Sequence, residues 1–520
     1  MRSLRGLVLA GGLILPAVLG CGPRAGLEHP GLVIGIATDP TTLDPRVATD
    51  AVSLHLTELI FSSLVRTDAG LRVIPDLAER WEQPDPRTYI FALRSNVRFH
   101  HGPEVTADDV RYTYESLRDP RLGSAYAGVL KEVEEIEVLD RYRIAFRLRR
   151  PFSPFLYHLT LGIVPADRGA AKDFGQRPVG SGPFRFAGWA PNERVELTAF
   201  AGHFRGGPRV NRIRFRVIPD ATIRYLELRK GSLDLLPGEL PPELLPVAQA
   251  LPGYRLLQGP SSNYTYLGFN LRDRILRDRR VREAIALAID REGLVRHLLR
   301  GQAIPATGPL FPGHWAYQGK VGRLGLDRDR AERLLDAAGY RRRGGVRFEL
   351  EFKATTDELN RAIAEAIQYQ LGLVGITVRI RGYEWGTFYA DIKSGNFQIY
   401  VLTWVGITDP DYLHYLFHSE SIPPVGANRG FYMDPEVDRL LEAGRETTDW
   451  RKRRIIYGRV QQILAQDLPY VSLWHERRWA LVKKRLRGFT LMPGGELTPL
   501  QDVWIDGSAG GRRAGGMRGR

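Results

Sequence analysis

The chain of 520 residues contains a single cysteine, Cys21, so no disulfide can join two of its segments. Its stability must therefore come from apolar cores. One core does not support a chain of this length, which predicts two or three lobes with clefts between them. Hydrophobic residues make up 43% and charged residues 26%, an ordinary balance for a globular protein.

Cys21 ends a segment with the pattern of a bacterial lipoprotein signal. Two arginines precede an uncharged stretch over residues 6–19, and the small residue Gly20 comes directly before the cysteine. That stretch is shorter than the roughly 20 residues that a membrane-spanning helix needs. We therefore predict a signal peptide over residues 1–20, a lipid on Cys21 and a lipid-anchor linker over residues 21–30. The alternative is a free, buried cysteine.

The formal net charge of +15 overstates the charge of the predicted folded part. Six arginines lie in the signal peptide and in a Gly-rich basic tail over residues 507–520, which we predict to be disordered. Taking these six from +15 leaves +9, and the remaining basic residues are dispersed among acidic ones. This distribution gives little support to nucleic-acid binding, and we predict none.

Strand and helix patterns alternate along the chain and predict an α/β fold. Residues 31–37 read as a buried strand, and residues 97–100 have the chemistry of another strand. Thr106 opens a capping box before a helix. Farther on, a strand, a helix and a strand follow one another between residues 346 and 380, which predicts a βαβ unit of doubly wound character.

No catalytic or metal-binding motif has the spacing that its chemistry requires. Gly180-Ser181-Gly182 fits neither a phosphate-binding loop nor a nucleophile elbow. The adjacent His100 and His101 would point to opposite sides of a strand, and the sequence has no H-E-x-x-H or C-x-x-C pattern. We therefore predict no catalytic residue, no metal and no cofactor. A hydrolase is the remote alternative.

Several loops at predicted strand ends combine aromatic, small and polar residues, as ligand pockets do. They lie at residues 41–45, 263–266, 385–389 and 404–410. Each of them alone could be a packed turn, because aromatic side chains are usually core or rim residues. Together they predict a binding cleft at the carboxyl ends of strands.

An ordered series of motifs covers nearly the whole predicted mature chain, and with it the chain resembles a known family. The family is the extracellular solute-binding proteins of the peptide and nickel transporter type, family 5, lipoproteins that deliver ligands to ABC importers. The motifs are Thr42-Leu43-Asp44-Pro45, Pro75–Glu82, Phe91–Arg94, Val97–Gly102, Thr106–Val110, Pro178–Phe184, Val281–Ala284, Ala288–Asp290, Ala331–Tyr340 and Gly375-Ile376.

The resemblance implies a bilobal periplasmic-binding-protein-like clamp, type II, cluster C, with an extra mixed α/β domain. The implied hinge crossings lie near Phe269 and Trp479, and ligand would favour the closed clamp. The implied segments are residues 31–56, 174–268 and 479–506 for lobe I, residues 57–173 for the extra domain II, and residues 269–478 for lobe III.

The chain departs from the family pattern at the loop after Trp404. Peptide-binding members usually carry W-x-x-D-Y-x-[DE]-P, whose first Asp pairs with the amino terminus of the peptide. Here Ile407 stands at that position and the loop is one residue shorter. Either Asp409 takes over the role, or the ligand has no free amine there, because a buried unpaired ammonium is costly. His101 also replaces the usual Asp of an F-H-D-G pattern.

The resulting prediction is a binding protein without turnover that captures an oligopeptide or similar solute in an interlobe cleft. It would be a monomer held by its lipid in the periplasm or at the outer cell surface. Its partners would be a peptide or other small solute and an ABC permease with its ATPase. The alternatives are an oligosaccharide, metal-chelate or haem binder, and a chaperone-like surface protein that does not transport. The candidate ligand-binding residues are Thr41, Tyr264, Asn270, Trp385, Trp404, Gly406, Thr408 and Asp409, with both tryptophans as anchors and Asp409 as the amine partner.

Overall fold

The computed structural model describes residues 31–238, 240–241, 243–319, 321–322 and 324–506. The predicted signal peptide, the linker with Cys21 and the basic tail lie outside these residues. No helix in the described ranges is both long and apolar enough to cross a membrane.

The described residues alternate between strands and helices, as the sequence predicts. The strands are β1 (Leu32–Ile36), β2 (Val65–Thr67), β3 (Val73–Pro75), β4 (Ala78–Asp85), β5 (Thr88–Leu93), β6 (Val133–Asp140), β7 (Arg143–Leu148), β8 (Phe184–Ala190), β9 (Arg194–Ala199), β10 (Arg212–Val217), β11 (Leu235–Pro237), β12 (Tyr254–Phe269), β13 (Ala303–Pro305), β14 (Phe348–Thr355), β15 (Ile376–Tyr383), β16 (Ile399–Trp404), β17 (Tyr470–Lys483), β18 (Leu486–Arg487) and β19 (Trp504–Ile505). The helices are α1 (Ala51–Ile60), α2 (Ala107–Ser116), α3 (Phe155–His158), α4 (Ala221–Lys230), α5 (Leu245–Gln249), α6 (Arg279–Ala288), α7 (Arg291–His297), α8 (Arg328–Ala337), α9 (Glu358–Leu373), α10 (Trp385–Ser394), α11 (Tyr412–Phe417), α12 (Pro435–Glu446) and α13 (Trp450–Asp467).

The largest sheet in the described residues has eleven strands and runs through both lobes. Its order is β15-β14-β16-β12-β17-β11-β1-β10-β9-β8, and β13 pairs with β17 off this path. Strand β1 is parallel to β10, and β14 is parallel to β15 across α9. The predicted βαβ unit is therefore confirmed. A separate antiparallel sheet of order β4-β5-β7-β6 belongs to the extra domain.

Strands β12 and β17 join the two halves of the large sheet. They pair with each other in two stretches, and the register shifts between Pro260 and Tyr264 on β12. Beyond this shift, β12 pairs with β16 from Tyr264 onward, whereas β17 pairs with β11 from Ala480 onward. The segment around residue 263, which the sequence suggests is a loop, is thus the middle of a long buried strand.

Separate apolar cores support the clamp. One core joins β1, α1 and β10 to residues 480–503 near the end of the described chain. A second core, from Leu64 to Ile163, lies within the extra domain. Two further cores pack the helices of the other half against β12, β14, β16 and β17. Helix α1 packs in the first core as far as Phe61, although the sequence-based division begins the extra domain at residue 57.

Helix caps follow the sequence closely. The capping box is present at Thr106, whose backbone N–H and hydroxyl both donate to Asp109 Oδ2, at 2.8 and 2.9 Å. Asp278, Asp290 and Asp327 cap α6, α7 and α8.

One strand prediction is wrong. Residues 97–100 form a tight loop with a single bridge between Arg98 and Glu104. The backbone has a positive φ of 64° at Asn96 and of 116° at Gly102, and Phe99 N–H donates to Pro103 O at 2.9 Å. This closely spaced reversal leaves no length for an extended strand.

Candidate ligand-binding cleft

A cavity of about 310 Å³ lies where lobe I, the extra domain and the loop after Trp404 meet. We call it the interlobe cavity. It is lined by Pro45, Leu54, Thr57, Glu58, Phe61, Ser63, Arg66, Thr67, Asp76, Leu117, Tyr126, Val129, Tyr157, His158, Thr160, Leu161, Gly162, Arg205, Thr408, Met492, Glu496 and Thr498.

Helix α1 gives the cavity one continuous wall. Leu54, Thr57, Glu58 and Phe61 line it at the i, i+3, i+4 and i+7 spacing of one helix face. The helix begins at a defined residue because the Asp50 side chain accepts the Ser53 N–H at 2.8 Å. The cap therefore fixes where the Glu58 carboxylate lies along the helix.

The extra domain supplies the opposite wall and contacts lobe III directly. Tyr157 lines the cavity, and its hydroxyl accepts a hydrogen bond of 2.9 Å from Trp315 Nε1. The backbone N–H of Trp315 donates to Gly70 O at 3.1 Å. Burial lowers the pKa of the neighbouring His158. The clamp is thus joined across the extra domain as well as through β12 and β17.

The cavity has a basic side. Asp76 and Arg205 form an ion pair of 2.9 Å, and Asp76 also accepts the Ser63 N–H at 3.1 Å. Burial raises the pKa of Asp76, and the arginine opposes that shift. Arg66 lies nearby and is exposed. Its guanidinium can present several N–H donors to an anionic group.

The cavity also has an acidic side. Glu58 and Glu496 both line it, and burial raises the pKa of each carboxyl group. The charge of Glu496 raises the pKa of Glu58 further, whereas Arg478 acts in the opposite direction on Glu496. Glu496 Oε2 accepts the Gly494 N–H at 3.0 Å. The two sides of the cavity therefore differ in charge.

The loop after Trp404 reaches the cavity through Thr408, which is the lining residue of this loop. Gly406 has a φ of 71°, a conformation that favours glycine, and its N–H donates to Asn263 Oδ1 at 3.2 Å. Thr408 O accepts a hydrogen bond from His314 Nε2 at 3.0 Å. The loop is thus held in place by backbone and side-chain contacts on both sides of Thr408.

This loop offers no free carboxylate to a ligand at position 407, where the family pattern has an Asp, or at Asp409. Ile407 is 1% exposed and packs in a lobe III core. Asp409 is 8% exposed and pairs through both oxygens with Arg453, at 2.8 and 3.2 Å. It also accepts the Asp411 N–H at 2.8 Å. The Asp409 carboxylate is therefore already neutralised within the protein.

Trp404 and Tyr264 lie on the paired strands β16 and β12 and pack in one aromatic core. Trp404 stacks on Tyr266 with ring centroids 6.2 Å apart, and the Arg429 guanidinium lies 4.4 Å from its centroid. The Tyr264 hydroxyl is 2.7 Å from Ser472 Oγ. Both predicted contact residues are thus buried, and in this structure neither is among the residues that line the interlobe cavity.

The other three predicted contact residues lie away from the interlobe cavity. The Thr41 hydroxyl donates to Asp50 Oδ2 at 2.6 Å and lines a separate open groove. The Asn270 amide donates to Gly395 O and Phe397 O. Trp385 is 54% exposed and stacks on a neighbouring tyrosine at 5.4 Å. The structure therefore brings Tyr264 beside Trp404 and the loop that follows it, and it places Thr41, Asn270 and Trp385 away from the interlobe cavity.

Sequence reasoning missed the charged residues of the cavity, above all Glu58, Arg66 and Glu496. One signal for Glu58 is present in the sequence. It lies among Leu54 and Phe61 on a helix face whose other members turn inward, where a glutamate is unexpected. Arg66 and Glu496 offer no comparable pattern.

Outside the cavity, His414, His418 and Glu442 bring three metal-ligating atoms within 4.8 Å of one another. Their hydrogen bonds do not favour a metal there. His418 Nδ1 accepts the Glu420 N–H at 3.2 Å, which in a neutral ring places the proton on Nε2, the atom that would have to bind the metal. Arg445 Nη1 also lies 3.2 Å from His414 Nε2.

Two lobes on a shared sheet, with a ligand-sized cavity between them, define a clamp-type binding protein. Residues 72–423 match the sequence profile described as "Bacterial extracellular solute-binding proteins, family 5 Middle". The chain belongs to this family. Its members are binding proteins, so this chain is a solute-binding protein and not an enzyme.

Named relatives align over most of the chain. The oligopeptide-binding protein AppA of Bacillus subtilis is 26% identical, and the alignment covers 91% of each chain. The dipeptide-binding protein of Escherichia coli is also 26% identical, over 88% of this chain and 91% of that one. The structure of HbpA2 from Haemophilus parasuis superimposes with a TM-score of 0.84 at 27% identity, covering 91% of this chain and 99% of the other. The clamp fold and the family resemblance predicted from the sequence are thus confirmed.

Proposed function

We propose that this chain is the substrate-binding component of an ABC importer and captures a short peptide in the interlobe cavity. The observation that carries the proposal is the cavity itself, which is formed by both lobes and the extra domain of a family 5 clamp. Its volume of about 310 Å³ is at the small end of the ~300–1,000 Å³ range of ligand pockets. The size favours a short ligand.

The charge distribution of the cavity suits a peptide. Arg66 can meet a carboxylate, and apolar side chains from α1 and the extra domain can pack against the rest of the ligand. AppA and the Escherichia coli relative are named for oligopeptides and dipeptides. These names support a peptide over an oligosaccharide, a metal chelate or haem.

The crossing strands β12 and β17 are the proposed hinge. We place the change of lobe on β12 at its register shift between Pro260 and Tyr264, and on β17 between Glu476 and Ala480, where its neighbour changes from β13 to β11. The crossing on β12 thus lies before Phe269, the position expected from the sequence. Ligand bound between the lobes would stabilise the closed state, which the permease would recognise.

We also propose that Cys21 carries a lipid and holds the monomeric clamp at the membrane, in the periplasm or at the outer cell surface. The support is the sequence pattern before the cysteine. Mass spectrometry of the protein from membranes, compared with Cys21→Ser, tests this step. Loss of the lipid mass and of membrane association in the variant is the expected result, whereas equal membrane association would contradict it.

Calorimetry with defined pools of two- to five-residue peptides tests the peptide proposal. The wild type should bind at least one pool with micromolar affinity, which needs about 8 kcal/mol. Thr408→Trp fills the cavity from lobe III and should abolish that binding. Val405→Trp is the matched control, because Val405 belongs to the same loop and is 68% exposed. Binding of a glycan or chelate, with no binding of any peptide, would overturn the peptide proposal.

A further inference from the structure

One oxygen of the Glu58 carboxyl group lacks a hydrogen-bond partner among the described residues. This oxygen is Oε2, and it is buried. Buried carboxylates are normally hydrogen-bonded or paired with a cation, because losing water without compensation is costly. Glu58 lines the interlobe cavity, which places its carboxyl group beside the space that a ligand would occupy.

The position of Glu58 within α1 adds to this cost. The helix runs from Ala51 to Ile60, which places Glu58 in its last turn. The carbonyl end of a helix carries partial negative charge, which disfavours a carboxylate and favours a cation. The protein thus keeps a carboxyl group at a place that is electrostatically suited to a positive group.

Glu496 strengthens the negative charge at the same place. It lines the cavity with Glu58, and each of these carboxyl groups has a raised pKa because of burial. Arg478 is a basic group whose charge acts on Glu496, and its guanidinium donates to Pro493 O and Gly494 O at 3.4 and 2.9 Å. When both glutamates are ionised, one guanidinium balances only one of the two charges.

The opposite lobe leaves the amine-binding role open. Peptide-binding relatives would use a carboxylate in the loop after Trp404, but here Ile407 is buried and Asp409 is paired with Arg453. Glu58 and Glu496 approach the same cavity from lobe I. They are therefore placed to bind a positive charge of the ligand that the loop after Trp404 does not bind.

We propose that Glu58, with Glu496 beside it, is the counterion for a cationic nitrogen group of the ligand, an ammonium or a guanidinium. This inference rests on the proposed function, since it requires the ligand to enter the interlobe cavity. The nitrogen group comes either from the free amino terminus of a peptide or from a basic side chain. Cation binding supplies the partner that the Glu58 Oε2 atom lacks.

Calorimetry with three pools of two- to five-residue peptides tests the inference. The first pool has free amino termini and no Lys or Arg, the second is the same pool N-acetylated, and the third is N-acetylated with one Lys in each peptide. The wild type should bind the first or the third pool at least about 30-fold more tightly than the second. The pool that binds identifies the source of the cation.

Substitution of Glu58 separates this effect from a general loss of binding. Glu58→Gln keeps the shape of the side chain and should remove the preference for cationic pools, while Glu134→Gln, an exposed site in the extra domain, should keep it. Glu496→Gln should reduce the preference and serves as a second variant if Glu58→Gln does not fold. Equal binding of acetylated and cationic pools by the wild type would overturn the inference and leave the peptide proposal intact.

Spermidine, a cation that is not a peptide, distinguishes the two proposals when no peptide pool binds. Spermidine binding that Glu58→Gln abolishes would support the inference and overturn the peptide proposal. Absence of binding by spermidine and by every peptide pool would overturn both.

Discussion

The two lobes that flank the interlobe cavity each bury a carboxyl group, but in different environments. In lobe III, Asp409 is buried, accepts a backbone N–H and pairs with Arg453 through both oxygens. In lobe I, Glu58 has a buried oxygen with no partner in the described chain. The difference indicates that the lobe III carboxylate stabilises the fold, whereas the lobe I carboxylate is reserved for the ligand.

The largest expected effect comes from breaking the pair in lobe III. Arg453→Met leaves Asp409 buried without a cation, which should lower the free energy of unfolding by about 3–5 kcal/mol. Denaturant-induced unfolding measures this loss. The control is Arg459→Met, whose pair with Glu436 is about half exposed on both sides and should contribute less than about 1 kcal/mol. Equal losses in the two variants would show that the lobe III pair does not stabilise the fold.

The reverse effect is expected in lobe I. Glu58→Gln should raise the free energy of unfolding of the ligand-free protein by about 1–3 kcal/mol at a pH above the folded-state pKa of Glu58, because there it removes a buried charge that lacks a partner. The stabilisation is measured by denaturant unfolding after ligand is removed by partial unfolding and refolding. A destabilised Glu58→Gln protein would indicate a partner that the carboxylate already has.

The pH dependence of the same variant has a definite sign. Burial and Glu496 raise the pKa of Glu58 above its usual 4.5, so the folded state holds this proton more tightly than the unfolded state. The wild type should therefore lose stability relative to Glu58→Gln as the pH rises from about 4.5 through the folded-state pKa. Glu496, itself raised, acts in the same direction, and Arg478 opposes it. Parallel stability curves for the two proteins across this range would contradict the assignment.

The smallest expected change in stability comes from removing the N-cap of α1, the helix that positions Glu58. Asp50→Ala removes the N-cap and should cost about 1 kcal/mol of stability, and it should also weaken ligand binding because the helix carries the Glu58 carboxylate. Asp220→Ala is the matched control, since Asp220 caps α4 in the same way by accepting the Ile223 N–H. Loss of binding in both variants would show that the effect on binding is a general consequence of lower stability.

Local features of the fold could be predicted because their causes are local. Thr106 opens the predicted capping box with Asp109, and the strand-helix-strand pattern from residue 346 gives the observed βαβ unit. The strand prediction for residues 97–100 was wrong because the chain turns at two positive φ angles, at Asn96 and Gly102, although the side chains between them are typical of strands. A single sequence does not show such angles at an asparagine.

The candidate site was harder to predict because its parts are distant in the chain. Glu58 and Glu496 line one cavity from opposite ends of the sequence, and Asp409 pairs with Arg453 in α13, the third helix after it. Neither relation has a periodic pattern. The family resemblance led to the loop after Trp404, where Thr408 does reach the cavity, but it did not indicate the acidic residues of lobe I.

The first lobe contains both the beginning and the end of the described chain. Its core joins β1 to Leu486, Leu500 and Val503, and its sheet needs β17 to connect β11 with the rest. During synthesis, the extra domain has its whole core by Ile163, long before residues 480–503 emerge. Lobe I is therefore the last part that can fold, and a growing chain has no complete binding cleft until nearly all of it has been made.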